Sequence, residues 1–330
     1  MSSAPRPTVL ITGASGLLGR ELVRVLASTG LYDVVGSGRG AGPSQSALPA
    51  GARWAAADLC APGAASSLVS SVRPAAVVHA AAERRPDACE AAEAAAAAGG
   101  AASDAEALNV DAAWEAARAA CRAGAAFVFV STDYVFDGSA PPYAPCAAPR
   151  PLNAYGRHKL RGERATAAAH PGAVVLRVPL LYGPSRDVAE SAGTVFARAV
   201  VSRAPAALDD WQVRVPTLTT DVARTAARIV AALLARAPGV AGATLHYSAP
   251  DRFTRYSLAL RMAALLGGAP TDHLTPAAGP PPGAPRPRDA DLDCAATRAL
   301  GLFEPPTPFD DGMRAVLAGF NVDADKRTIA

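Results

Sequence analysis

No apolar run among the 330 residues approaches the roughly 20 that a helix needs to cross a bilayer, which argues against a membrane span. Charge of one sign is also missing. Lys and Arg number 32 against 29 Asp and Glu, a formal net charge of +3, and the basic residues are scattered among the acids, which disfavours nucleic acid as a partner. The five cysteines, Cys60, Cys89, Cys121, Cys146 and Cys294, include no C-x-x-C pair and no paired metal spacing, so reduced thiols and no bound metal are expected. The first residues, MSSAPRPTVLITG, enter a strand almost at once, leaving no room for a signal or transit sequence. These absences together lead us to expect a soluble cytoplasmic or nuclear protein.

Half of the residues are hydrophobic, enough for a sizeable core, and the length suits a large α/β domain with an elaborated second lobe. Much of that apolar count is alanine. The segment EAAEAAAAAGGAASDAEA, Glu90 to Ala107, is low in complexity and reads as an exposed helical or disordered insertion interrupted at Gly99 and Gly100.

The first organised unit is TVLITGASGLLGRELVRVLASTG. Thr8 to Thr12 reads as a buried strand, Gly13, Gly16 and Gly19 have G-x-x-G-x-x-G spacing, and Leu17 to Leu26 has helical periodicity. Gly13 allows the tight turn, Gly16 lets the backbone approach a pyrophosphate, and Gly19 lets the helix lie close to the strand. The helix N-terminus then offers free N–H groups and a positive dipole end to phosphates. Dinucleotide binding follows.

The second strand, YDVVGSGRG, ends where the adenosine ribose would lie. An acid there selects NAD and a cation selects NADP. Asp33 stands at the wrong end of the strand, while Ser37 and Arg39 occupy the terminal positions, so NADP(H) is the expected cofactor. The third strand leads to Asp58 and Leu59, suited to flank adenine. The fourth, AAVVHAAAERRPD, runs into small residues at Ala80 to Ala82 that would let the dinucleotide pass closely. A helix from about Leu108 to Ala123 precedes the strand FVFVSTDYVF. Such alternation implies a Rossmann-type, doubly wound parallel sheet whose ligands bind at the carboxyl ends of its strands.

Ser131 and Thr132 lie at such an end, and Tyr155 and Lys159 follow in PLNAYGRHKLRGE. Positions i and i+4 share a helix face, so the ammonium can sit beneath the phenol and beside a ribose. A phenol ionises near about pH 10, and a fixed cation would bring it towards a useful acid at neutral pH. Ser131 or Thr132 could position a substrate oxygen. His158 points elsewhere by periodicity, to solvent or core.

The segments TGASGLLG, STDYVFDG, PLNAYGRHKLRGE and VVLRVPLLYGP resemble motifs of the extended short-chain dehydrogenase/reductases, within them the dTDP-4-dehydrorhamnose reductase group, from about Thr8 to Phe320. HAAAERRPD, LNVDA, the PPY after DYVFDG, and GAPRPRDADLDC are more similar to a branch of that group, the regulatory beta subunits of methionine adenosyltransferase. The resemblance implies that Ser15, Gly16, Leu17 and Leu18, with the region of Arg39, hold the cofactor phosphates. Asp58 and Leu59 would line the adenine site and Ala80 and Arg84 would lie along the dinucleotide. Tyr155 and Lys159 would hold the nicotinamide ribose, and Leu181 would close over the nicotinamide. Arg85 would serve a substrate pocket or pair with Asp87. Two features depart from the family: the alanine-rich insertion, and second-strand arginines thinned to Arg39.

Two function classes stand. One is a regulatory subunit that binds NADP and docks on a catalytic methionine adenosyltransferase subunit, altering S-adenosylmethionine synthesis. The other is a reductase in which Tyr155 protonates the 4-keto oxygen of a sugar nucleotide reduced by NADPH. The tail NVDADKRTIA lacks the aromatic and basic character associated with the beta subunit's docking. Residues 1–184, rejoined by 217–247, are expected to form the NADP-binding domain, with 185–216 and 248–330 forming a smaller, sequence-discontinuous substrate or partner lobe. The proline-rich TPAAGPPPGAPRPRD should be an ordered loop and not a sheet interior. Trp211, Arg286 and Arg288 are candidates for lining the cleft.

Overall fold

The computed structural model describes residues 5–100, 103–186 and 190–319. Strands β1 (Thr8–Thr12), β2 (Asp33–Gly38), β3 (Ala52–Ala56), β4 (Ala76–His79), β5 (Ala126–Thr132), β6 (Val174–Val178) and β10 (Thr244–His246) form one sheet. Its order is β3-β2-β1-β4-β5-β6-β10, and all six pairings are parallel. Val9, Leu10 and Ile11 of β1, all four residues of β4 and all five of β6 are buried. Such continuous burial fits a sheet covered on both faces, where alternation gives way to near-continuous apolar runs. This is the doubly wound Rossmann architecture that the strand and helix alternation implies.

Helix α1 (Leu17–Ser28) covers one face together with α8 (Thr219–Leu234), their Leu22, Leu26, Val222, Ile229 and Val230 packing on Val9, Ile11 and Val78. Glu21, buried at that helix pair, accepts from Arg24 and from the Thr220 hydroxyl at 2.6 Å. The opposite face carries α2 (Ala64–Val72) and α5 (Ala112–Arg122). Ala113, Ala116, Ala117 and Ala120 of α5 are buried near Phe127 and Phe129 of β5. Alanine thus brings this helix close to the sheet, and the two phenylalanines supply the volume.

Helix α3 (Pro86–Ala97) takes in the first part of the alanine-rich run, which is helical and mostly exposed and is anchored at its start. Glu90 accepts from the Ala154 N–H at 2.6 Å, Arg157 pairs with Glu90 and Glu93, and Cys89 is buried. The helix stops before Gly99 and Gly100, as the glycines suggest. The next helix starts earlier than Leu108: α4 (Asp104–Glu106), capped by Ser103, continues through a π turn (Ala107–Asp111) into α5. Asn109 in that turn clamps the Glu83 backbone at both N–H and carbonyl, at 2.9 and 3.0 Å. Helix α6 (Ala154–Ala169) carries the Tyr-Lys pair.

A second hydrophobic cluster gathers Tyr182 and Leu218 with α7 (Ala192–Val201), α9 (Arg255–Leu265) and α11 (Phe309–Ala318), through Phe196, Val200, Leu258, Met262, Phe309 and Met313. Two small sheets belong here, β8 (Ala206–Asp209) with β11 (Leu274–Ala277), and β7 (Leu181–Tyr182) with β9 (Thr217–Leu218). The first residues of the proline-rich stretch, Thr275–Ala277, are strand, which a two-stranded sheet permits because Pro276 can leave its nitrogen outward. Beyond it the chain is extended, making isolated bridges from Asp289 to Val213 and from Leu292 to Tyr143, before the short α10 (Ala295–Ala299). The tail from Phe320 lies outside the described residues. No helix among the described residues is long and apolar enough to cross a membrane.

Candidate active site

A cleft of about 550 Å³ opens over the carboxyl ends of β1, β2, β4 and β5. Its floor is built by close approach. Gly13 has φ +70°, and a Cβ there would lie 2.7 Å from Ala81 at the end of β4; a Cβ on Gly19 would lie 2.1 Å from the Gly13 carbonyl oxygen. The turn and the start of α1 can therefore be this tight only with glycine. Gly13, Ser15, Gly16, Leu17, Leu18 and Gly19 border the cleft, as do Arg39, Asp58, Leu59, Ala80, Arg84 and Leu181. At the α1 end, Arg20 donates to the Ser15 carbonyl and holds Glu190 with both guanidinium nitrogens, at 2.6 and 2.7 Å.

Ser37 does not border the cleft. Alternation along β2 turns it to the Val35 face, where it is fully buried, and it contributes only its carbonyl, which accepts from Ala14. Arg39 is exposed at the cleft edge and makes no ion pair with a described residue, whereas Asp33 pairs with Arg6 at the far end of the strand.

Tyr155 and Lys159 both face the cleft. Gly156 seats the start of α6: a Cβ there would meet the Tyr134 carbonyl oxygen at 2.2 Å, so the helix rests directly on the turn after β5. Asn153 caps it, accepting from Gly156 N–H and donating to the Pro285 carbonyl at 2.8 Å. The Tyr155 ring stands edge-on to Tyr134, centroids 6.0 Å apart.

The expected depression of the phenol is absent. Burial pushes Tyr155 above its ordinary value, against a hydrogen-bonding pull from Thr132. The lysine does not offset that burial. Lys159 Nζ sits 4.0 Å from the centre of the Phe129 ring, and burial lowers its pKa to about 7, opposed by Glu163. His79 lies beside it, stacked on Phe129 and hydrogen-bonded to Thr12, and is held neutral by burial and the lysine charge, with its pKa at about 3. In this geometry the lysine is itself desolvated.

Ser131 and Thr132 point to different neighbours. The Ser131 hydroxyl donates to Glu163 at 2.5 Å, and Glu163 forms a buried two-pronged pair with Arg177 at 2.9 and 2.7 Å. Arg177 also donates to the Pro145 carbonyl. Ser131 is thus tied into a structural network, while Thr132 stands beside the Tyr155 phenol.

Several cleft residues escaped the sequence reading. Asp133 and Tyr134 directly follow Thr132, and their only signal was adjacency. Burial raises Asp133 to about 7, against pulls from Thr132 and Arg214. Gln212 and Arg214 come from the segment between β8 and β9 and Arg255 from the start of α9, where no motif marked them. Arg214 donates to Gln212 at 2.5 Å, and Arg255 is lowered by burial and by Arg214 and Arg286.

Of the residues left open by sequence, Arg286 lines the cleft and pairs with Asp87 at 2.5 Å. Arg85 also lines the cleft, and its ion pair is with Glu83 at 2.7 Å and not with Asp87. Trp211 and Arg288 lie outside the lining, Arg288 over the Trp211 ring. His158 faces the core, fully buried. No His, Cys, Asp or Glu cluster among the described residues could hold a metal. All five cysteines are free.

The donor set fits a nicotinamide dinucleotide: a glycine cradle at a helix start, a free cation at the β2 end, and a phenol and ammonium at the β5 end. Similarity to known proteins agrees with the architecture. Residues 7–321 match the RmlD substrate binding domain. The chain is 38% identical to methionine adenosyltransferase 2 subunit beta of Bos taurus, over 97% of this chain and 90% of that protein. It is 37% identical to a probable dTDP-4,6-dihydroxy-2-methyloxan-3-one 4-ketoreductase of Streptomyces antibioticus, over 85% of this chain and 84% of that protein. The crystal structure of dTDP-4-dehydrorhamnose reductase from Bacillus anthracis in complex with NADP superposes with a TM-score of 0.75 at 23% identity, covering 97% of this chain and 100% of that one. The chain therefore belongs to the RmlD substrate-binding-domain family of extended short-chain dehydrogenase/reductases.

Proposed function

We propose that this protein is an NADP-binding regulatory subunit of the methionine adenosyltransferase beta type, docking on a catalytic methionine adenosyltransferase subunit and modulating S-adenosylmethionine synthesis. The observation that carries the reading is the 38% identity to subunit beta across nearly the whole chain. In this reading residues 1–184 with 217–247 bind the dinucleotide, and 185–216 with 248–330 form the partner lobe. Free thiols fit the reducing cytoplasm or nucleus.

Ser15 to Leu18 and the α1 N-terminus would hold the phosphates and Arg39 the 2′-phosphate. Asp58 and Leu59 would flank adenine, Ala80 and Arg84 would lie along the dinucleotide, Tyr155 and Lys159 would hold the nicotinamide ribose, and Leu181 would cover the nicotinamide. Preference for NADP over NAD is supported by Arg39, exposed and unpaired among the described residues, and by Asp33, which is engaged with Arg6.

A second reading is favoured by a separate observation: Thr132, Tyr155 and Lys159 all face one cleft. This is the apparatus of an NADPH-dependent reductase of a 4-keto sugar nucleotide. The bound cofactor would supply hydride to the carbonyl carbon. The chain's own part is to hold the carbonyl oxygen against Thr132, donate a proton from Tyr155, and exclude water with Tyr134 and Leu181. Ser131, committed to Glu163, would position β5 instead of the oxygen.

One experiment separates the two. The protein is mixed with a catalytic methionine adenosyltransferase subunit on a sizing column, and separately given NADPH with a dTDP-4-keto-6-deoxy sugar. Co-elution without sugar-dependent oxidation supports the regulatory reading. Oxidation that disappears in Tyr155→Phe, without co-elution, overturns it.

A further inference from the structure

We propose, on the reading in which Arg39 meets the 2′-phosphate of NADP, that Trp54 fixes the preference for NADP over NAD by holding the loop that carries Arg39. Trp54 stands on β3 and does not itself border the cleft. It is half-buried on the α1 side of the sheet, packed on the cluster that includes Ala14 and Val23. It is a positioning residue, acting on the cofactor only through the arginine.

Parallel pairing sets Trp54 opposite Gly36 of β2, and residues two apart on a strand share a face. Gly36 and Gly38 thus leave bare backbone under the indole. A Cβ on Gly38 would lie 3.0 Å from the ring's Cη2 and 3.1 Å from Ser15 Oγ, so the indole lies across the strand end beside the phosphate cradle. The chain then folds back over the same ring: Gly42 has φ +69°, and a Cβ there would come within 2.4 Å of Cε2, Cδ2 and Nε1. Between these two points the indole Nε1 donates to the Gly40 carbonyl at 3.2 Å. Gly38, Gly40 and Gly42 all bear on one side chain, and Arg39 lies between the first two, exposed at the cleft edge.

The run Gly-Arg-Gly-Ala-Gly from Gly38 to Gly42 has great backbone freedom of its own. Unanchored, it would scatter Arg39 over many positions, and a bound 2′-phosphate would have to order it at a cost in affinity. The indole removes that freedom during folding. NADPH gains from a guanidinium already in place, whereas NADH has no 2′-phosphate and gains nothing. Loss of Trp54 should therefore fall on one cofactor, which a general loosening of the domain would not produce.

The test measures NADPH and NADH dissociation constants on the full chain, from the fluorescence of the reduced nicotinamide, for the wild type, Arg39→Ala, Trp54→Leu and the double variant. Trp54→Leu should bind NADPH about tenfold more weakly and NADH within about twofold of wild type. In the Arg39→Ala background the same substitution should change NADPH binding by less than about twofold, because the two residues act as a unit. Retained NADH binding shows that the variant is folded. If Trp54→Leu does not fold, Trp54→Phe, which keeps a ring and loses the Nε1 donor, should lower the preference for NADPH about threefold, again only when Arg39 is present. Wild-type NADPH binding in the folded variant, equal losses for both cofactors, or an undiminished effect without Arg39 overturns the role of Trp54 while leaving Arg39 on the 2′-phosphate. If Arg39→Ala itself weakens both cofactors equally, the 2′-phosphate reading falls, and the role of Trp54 with it.

Discussion

Lys159→Met should make the cofactor-free protein more stable while abolishing its grip on the dinucleotide. The wild-type ammonium is 2% exposed, stands over Phe129, and has no hydrogen-bonding partner among the described residues. Burial lowers its pKa from 10.5 to about 7. At about 1.4 kcal/mol for each tenfold change in proton affinity, the charged form is disfavoured in the fold by at most about 5 kcal/mol. Relaxation and water entry reduce this to about 2–3 kcal/mol. Methionine fills a similar volume without a charge to desolvate.

The sign with pH follows from linkage. Below about pH 7 the lysine is protonated in both folded and unfolded chains, so the wild type carries the whole penalty. Between 7 and 10.5 the unfolded chain binds more protons than the folded one, and wild-type stability rises with pH. Urea denaturation at pH 6 should therefore show Lys159→Met ahead by about 2–3 kcal/mol, with roughly half of that advantage gone by pH 9. NADPH binding by the variant should be lost at both values. A variant less stable than wild type at pH 6, or a difference that does not change with pH, would refute the reasoning.

Arg39→Ala should weaken NADPH binding by about tenfold or more while changing NADH binding by less than about threefold, measured by fluorescence titration, because a charge-assisted contact to the 2′-phosphate is worth about 1.5–3 kcal/mol. Equal losses would remove Arg39 from the 2′-phosphate. Ser131→Ala and Thr132→Val should separate in kind. Loss of the Ser131 bond to buried Glu163 should cost about 1–3 kcal/mol in denaturation and leave cofactor binding intact. Thr132→Val should lose the bonds to Asp133 and the Tyr134 N–H, at a cost of about 0.5–2 kcal/mol, and remove any carbonyl reduction; reduction kept in Thr132→Val and lost in Ser131→Ala would exchange the two roles.

Much of the site was legible because its parts are local. Strand, glycine turn and helix are consecutive, so Gly13 and Gly19 announce the cradle whose crowding the fold displays. Tyr155 and Lys159 are four residues apart on one helix, which guarantees a shared face. Ser37 misled for a local reason too, since which face of β2 it takes depends on register against β1 and not on closeness to the strand end. The alanine-rich run forms the exposed helix that was one of its two readings, but alanine carries no signal of what anchors it. Its anchors, Glu90 and Glu93, find Arg157 and the Ala154 N–H some 60 residues away. Arg214 and Arg255 reach the cleft from segments without strand and helix alternation, and nothing in their neighbourhood indicates where they point.

By itself the sequence determined the order of strands and helices from β1 to α6, apart from α3, the dinucleotide cradle and the chemical types at the β5 end, since each rests on periodicity or on residues close in the chain. Tertiary structure alone decided the electrostatics. The fold packs Lys159 over Phe129 and beside His79, and so desolvates the cation expected to ease the phenol's ionisation. It also gives the Ser131 hydroxyl to Glu163 and leaves Thr132 to Tyr155. Burial and the identity of neighbours brought from other strands set those energies, and neither is written in the spacing of a motif.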